Sequence, residues 1–386
     1  MSINHVSLGR AHYQARLAQL QQAIEADGLD GLLLLDAGNL MWACGFFHIP
    51  NERPIGYYIP RRGDPTFYVP LLEKEQAEAA DVGNVRHYWE YPGHIPAEVW
   101  MLNQIGPGAI GVDAAGYEIF LKMQAANSEV RISHIAARMR YLKTPGEIAL
   151  TEMAARYADH GLGVARRLVA EGLRDGITEI DVVRGVQAET TEKMKRELSE
   201  LTNFYRGAIT LTAHTGARGA LPHGQPGPNR IMPGDTLIVG IGAKVGGYHA
   251  ESGCTFIVGD ATPDQLRCLE TTWACDEAAV AALKPGATCT SVDEAALRVL
   301  FDAGYGPYIR HRIGHGMGLV GHEAPWLSEG DQTILQPTMI FSNEPGIYRP
   351  GIDGYRIIDT MLVTEQGGRR LSRYLSEHGP DDRVIA

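Results

Sequence analysis

At 386 residues the chain is too long for one small domain, since domains run to roughly 100–200 residues, and 44% hydrophobic with 21% charged residues is ordinary for a globular chain with a large core. A formal net charge of −11 argues against nucleic acid or an anionic membrane surface as the main partner. The five cysteines, Cys44, Cys254, Cys268, Cys275 and Cys289, are odd in number and include no CxxC pair, so neither a disulfide framework nor a structural zinc site is expected and a reducing cytoplasm fits.

The first seventeen residues contain no uninterrupted apolar run of the kind a secretory signal needs. The apolar run Leu32–Leu35 is far shorter than the roughly 20 residues of a membrane span. Leu17, Leu20 and Ile24 recur at helical spacing within Ser7–Asp27, and Gly28 is the expected stop. A buried strand is predicted at 31–35, strands at 55–60 and 66–70 around a turn at 61–65, and a helix over 71–80. A strand at 109–112 and a helix at 118–126 complete an alternating α/β pattern to about residue 140. The Pro-Gly pair within 140–146 marks a boundary, giving domains of 1–140 and 141–386. Helices are predicted at 147–172 and 177–198. Two more open on capping boxes, Thr262–Gln265 and Ser291–Glu294, with Gly304 closing the second.

Residues 235–256 read as a hairpin turning at Lys244–Gly247, a register that sets Ala243 opposite Tyr248 and Gly240 opposite Glu251. Directly opposed residues share a face of the sheet, so Glu251 points across a position with no side chain. Taken alone, a solvated surface glutamate is as good a reading. Small neighbours, Ala250, Ser252 and Gly253, leave room for a ligand. Downstream, His311, His315 and His322 lie among glycines that let backbone approach a ligand, and Glu344 ends an apolar strand before Pro-Gly. His223 stands in a further glycine-rich loop.

Gly314–Pro325 (GHGMGLVGHEAP) and Ser342–Tyr348 (SNEPGIY) are close to signatures of the pita-bread family of aminopeptidase P, prolidase, methionine aminopeptidase and creatinase, and the segment from about 140 to 365 resembles that family throughout. Asn39–Phe46 resembles its creatinase-type N-terminal domain. The resemblance implies an α+β chain: a creatinase-type α/β domain, then a pita-bread catalytic domain. Its metallopeptidases hold two ions through two Asp, one His and two Glu. Carried over, these positions are Gly240, Glu251, His315, Glu344 and Ile358, so three potential ligands remain. Two dications a few Å apart need bridging anions, which Gly240 and Ile358 do not supply.

The resemblance therefore implies a metal-independent hydrolase of an amide, amidine or ureido C–N bond in a small nitrogenous molecule, akin to creatinase or ectoine hydrolase, with no cofactor. Creatine itself is a poor substrate, because Gly253 and Ile358 stand where creatinase carries glutamates. His223 is assigned as principal acid/base by its match to the family. Glu251 is base or nucleophile, Glu344 orients water or a cationic nitrogen, His315 donates to an oxyanion, and His322 is a second donor. Tyr248 and Arg356 are substrate-binding candidates with His322. The alternatives are an Xaa-Pro dipeptidase-like metallopeptidase with one divalent ion on Glu251, His315 and Glu344, a lyase, and a binding protein without catalysis. A cytoplasmic homodimer acting on a small molecule, without nucleic acid or membrane partners, is expected.

Overall fold

The computed structural model describes residues 8–90, 93–198, 208–379 and 381–385. The chain divides into two compact units, Met1–Arg140 and Tyr141–Ala386. The fold is α+β, with helices and mixed sheets in both.

The first unit runs α1 (Arg10–Ala26), β1 (Gly31–Leu34), α2 (Ala37–Cys44), β2 (Gly56–Pro60), β3 (Thr66–Pro70), α3 (Lys74–Ala80), β4 (Asn84–Tyr88), α4 (Ala97–Ile105), β5 (Ile110–Val112), α5 (Tyr117–Ala126), β6 (Arg131–Ile132) and α6 (Ile135–Met139). Its six-stranded sheet has the order β4-β3-β2-β1-β5-β6. The expected first helix is present from Arg10, Ser7 lying outside the described residues, and Gly28 follows it at φ +67. Asp113 ties β5 to β1 and α2. One of its oxygens accepts from the Leu35 N–H at 2.7 Å and the other from Asn39 Nδ2 at 2.9 Å. Burial pushes its carboxyl up to about 6, against the downward pull of those donors.

The second unit runs α7 (Pro145–Gly172), α8 (Glu179–Glu197), β7 (Ile209–Thr215), β8 (Thr236–Val245), β9 (Tyr248–Val258), α9 (Pro263–Ala282), α10 (Cys289–Asp302), β10 (Gly314–Gly316), β11 (Glu323–Leu327), β12 (Ile340–Asn343), β13 (Gly346–Arg349), β14 (Asp353–Arg356), β15 (Ile358–Thr364), β16 (Gly367–Arg370), α11 (Tyr374–His378) and β17 (Val384–Ile385). Its nine-stranded sheet follows β11-β10-β12-β15-β9-β8-β7, with β16 on β15 and β17 on β9, while β13 and β14 pair separately. One buried core packs α7 and α8 on β7–β9, through residues such as Ala158, Leu162, Val186, Val239 and Ile241. A second joins α9 and α10 to β12 and β15, through Leu269, Val292, Phe341 and Met361.

The α9 box forms at Thr262 and Gln265, with Pro263 opening the helix. The α10 box forms three residues earlier than expected. Thr288 caps the helix and accepts from the Ser291 N–H at 3.1 Å, while Ser291 supplies the reciprocal bond.

The β8–β9 register also differs from expectation. The turn is two residues long, Gly246 and Gly247, with φ of +55 and +84. Glycine tolerates both values, and two such residues make the tightest hairpin, so Lys244 and Val245 stay in the strand. Val245 then faces Tyr248, Gly242 faces Glu251, and Gly240 faces Gly253. The slip is two residues, so Gly240, Gly242, Glu251 and Gly253 still share one face.

Candidate active site

Strand alternation decides which side chains enter the site. On β9, Tyr248, Ala250 and Ser252 point to the helix layer, where Ser252 Oγ donates to Asp159 at 2.7 Å. His249, Glu251 and Gly253 point the other way. Tyr248, expected to touch substrate, is 3% exposed, and its hydroxyl donates to Glu147 Oε1 at 2.6 Å at the start of α7. It lies on the face of the sheet opposite Glu251.

A lateral row across the sheet builds the site. The Glu251 backbone N–H donates to Thr360 Oγ1 at 2.8 Å, and that hydroxyl donates back to the Glu251 carbonyl at 2.7 Å. Thr360 pairs with Ser342, which pairs with His315. Glu251, Thr360, Ser342 and His315 thus stand on four successive strands, β9, β15, β12 and β10, each about 5 Å from the next. Ser342 Oγ lies 3.0 Å from Glu251 Oε2 and 3.4 Å from Glu344 Oε1. Behind the row, Arg370 holds Asp276 and Asp359, Asn343 binds Asp276, and Ser372 donates to Asp359 at 2.6 Å.

His315 is 2% exposed. Its Nδ1 faces the Gly316 carbonyl at 3.0 Å, so Nδ1 carries the proton and Nε2 is the free lone pair of the neutral ring. That Nε2 lies 3.5 Å from Glu344 Oε1, and the His322 ring stacks on His315 with centroids 3.7 Å apart. Burial lowers the His315 pKa, but the negative charges of Glu344 and Glu251 outweigh it, so the net shift is upward. Burial lifts the Glu344 carboxyl, and His315 and Arg356 overcome this and hold it well below the usual carboxylate range. His322 is pushed down by burial and by His315.

Donor atoms of His315, His322 and Glu344 all lie within 4.8 Å of one another. Two imidazoles and a carboxylate, one lone pair unclaimed by a donor, suit a single divalent ion. The set expected from the sequence had Glu251 in place of His322. Here Glu251 Oε1 already lies 3.0 Å from His249 Nε2 while Oε2 accepts from Ser342. A pair of ions does not fit. Gly240, Gly253 and Ile358 form a row on three strands, and a Cβ at either glycine would meet Ile358 Cδ1, at 2.8 and 2.9 Å. An apolar side chain fills the place of both missing carboxylates.

The other expected residues lie around this centre. His223 is exposed, on a loop anchored by His214 Nε2 and the Gly224 carbonyl, and its charge bears on His311. Arg356 is buried at the end of β14. Sequence reasoning passed over His249 and His214. His249 sits two residues before Glu251, and that spacing alone puts both on one face of a strand. His214 had no such neighbour to reveal it.

The model of metallopeptidase family M24 matches residues 149–365, and that of the creatinase/prolidase N-terminal domain matches 16–142. The chain is 30% identical over 362 residues to the Xaa-Pro dipeptidase of Pyrococcus furiosus, covering 93% of this chain and 97% of that one. It is 31% identical over 362 residues to the probable dipeptidase PepE of Mycobacterium tuberculosis, with 92% and 93% covered. The solved structure of dipeptidase PepE from Mycobacterium ulcerans superposes with a TM-score of 0.81 at 29% identity, covering 94% of this chain and 95% of that one. These relatives are named for peptide cleavage and the family is one of metallopeptidases. That overturns the expectation of a metal-independent, creatinase-like hydrolase of non-peptide C–N bonds, and with it the expectation of no cofactor. Gly240 and Ile358 supply no ligand, but His322 closes on His315 and Glu344 and completes a set for one ion. With a catalytic-domain match over more than half its length and full-length relatives of this kind, the chain belongs to metallopeptidase family M24.

Proposed function

We propose that the protein is an Xaa-Pro dipeptidase-like hydrolase of short peptides that works with one divalent ion. The observation that carries this reading is the convergence of His315, His322 and Glu344 in a chain 30% identical, over nearly its whole length, to an Xaa-Pro dipeptidase. When bound, the ion supplies Lewis-acid polarisation of the scissile carbonyl. His315, His322 and Glu344 hold it, and the Nδ1 bond to Gly316 keeps the His315 lone pair turned towards it.

The remaining steps fall to other side chains. Glu251 is the general base on the attacking water. His249 and Ser342 each hold one of its oxygens, which fixes the plane of the carboxylate. His223, exposed at the loop, delivers a proton to the leaving nitrogen. The chain works as a cytoplasmic homodimer on small substrates, without nucleic acid or membrane partners. Among the described residues no helix is long and apolar enough to cross a membrane. A panel of Xaa-Pro and non-proline dipeptides, assayed with Mn, Co and Zn, tests the reading: release of free proline is expected, and no hydrolysis with any ion would refute it.

A further inference from the structure

Arg356 is 6% exposed. An arginine guanidinium is a planar cation with no acceptor of its own. Nη1 donates to the Pro222 carbonyl at 3.1 Å and Nη2 to Thr212 Oγ1 at 3.2 Å, both neutral acceptors. Its Nε is buried without a hydrogen-bond partner. Among the described residues no carboxylate reaches it within the 4.0 Å of an ion pair. Burying an unpaired charge is costly unless an anion accompanies it, so a group left in this state is poised for one.

The described surroundings supply no carboxylate to the guanidinium. A Cβ at Gly240 would lie 3.3 Å from Arg356 Nη2, so a side chain at this position would meet the guanidinium, and glycine supplies none. Glu344 feels the Arg356 charge, but its Oε1 is turned to His315. Tyr348, His311 and His214 are the other titratable groups that sense it, and none is an anion in its ordinary state. Arg356 pairs with Gly346, two residues after Glu344, and its guanidinium has no carboxylate partner of its own among the described residues.

We propose that Arg356 is the anion-binding pole of the active site and pairs with the free carboxylate of a small substrate. The inference rests on the dipeptidase reading for the identity of that substrate, because a dipeptide ends in a carboxylate. The pairing itself depends only on the guanidinium. Planar, forked N–H groups match a carboxylate, and Nε is the donor still unused.

The test uses the intact protein, with proline and acetate as carboxylate probes and prolinamide as the uncharged control. Thermal shift should show stabilisation by proline and acetate and none by prolinamide. Arg356→Gln should lose the response, and Arg356→Lys should keep part of it. With a dipeptide substrate, Arg356→Gln should raise KM by about 10²-fold, the loss expected of a broken buried charge pair, with kcat within a few-fold of wild type. Equal stabilisation of the wild type by proline and prolinamide would overturn the proposal without recourse to any variant. So would a variant whose kcat falls while KM holds. A carboxylate response that depends on Arg356 in a protein that cleaves no dipeptide would uphold the pole and refute the dipeptidase reading.

Discussion

Gly240→Ala adds one methyl group where there is no room for it. The new Cβ would lie 2.8 Å from Ile358 Cδ1 and 3.0 Å from Thr212 Oγ1. Ile358 is 7% exposed and cannot swing into solvent, so overpacking of this kind should cost about 1–3 kcal/mol. Ile358→Val removes Cδ1, the atom struck, and by itself should cost about 0.5–1.5 kcal/mol. In the double variant the contact with Cδ1 is gone, while the 3.0 Å approach to Thr212 Oγ1, which Arg356 Nη2 holds, remains. The two changes should then be less costly together than the sum of the singles, by about 1 kcal/mol of coupling. Gly253→Ala is the control. Its Cβ meets the Val239 carbonyl at 2.9 Å, part of a strand backbone, so Ile358→Val should rescue it poorly. Urea unfolding of the single and double variants measures all of this. Strict additivity for Gly240→Ala with Ile358→Val would refute the claim that Ile358 fills the space of the absent carboxylates.

Glu251→Gln keeps size but loses basicity, and turnover should fall by about 10²–10⁴-fold while the fold and the ion remain; near-normal turnover would remove Glu251 from the mechanism. Tyr248→Phe should leave KM unchanged and lower stability by about 1.5–3 kcal/mol, the worth of a buried hydrogen bond to a carboxylate, because its hydroxyl serves Glu147; a raised KM with unchanged stability would put the hydroxyl back in the site. Asp113 has a folded pKa raised from 3.8 to about 6, so the native state binds the proton more tightly than the unfolded chain. Its contribution is full below about 4 and is lost as pH rises through 6, up to about 3 kcal/mol in all. Unfolding of the wild type and Asp113→Asn between pH 4 and 7 should differ in slope in that direction, and parallel curves would contradict it.

Much of this was legible in the residues, and the parts that were not have physical reasons. Helical periodicity located α7 to within two residues, and the capping box with Pro at the first turn located the start of α9. Thr288 competes with Ser291 as cap for α10, and local pattern does not rank two hydroxyls three residues apart. The β8–β9 turn could be centred on Val245-Gly246 or on Gly246-Gly247, and only the demand for two positive φ values selects the latter. Because the error was two residues, Glu251 kept its face. Tyr248, expected among the substrate-binding residues, lies three residues from Glu251, and odd spacing along a strand puts the two on opposite faces. The meeting of His322 with His315 depends on the loop between β10 and β11, whose path no short-range pattern describes. The loss of carboxylates at Gly240 and Ile358 was plain in the sequence, and it removes the bridging anion that a pair of ions needs.

One ion on His315, His322 and Glu344 is the number that the working enzyme should hold. Metal-free protein should be titrated with Mn or Co while bound metal is counted by plasma mass spectrometry and Xaa-Pro hydrolysis is followed in the same samples. Activity should rise in step with bound metal, reach its plateau at one ion per chain, and vanish on chelation. A plateau at two ions, or hydrolysis that survives complete removal of metal, would contradict it.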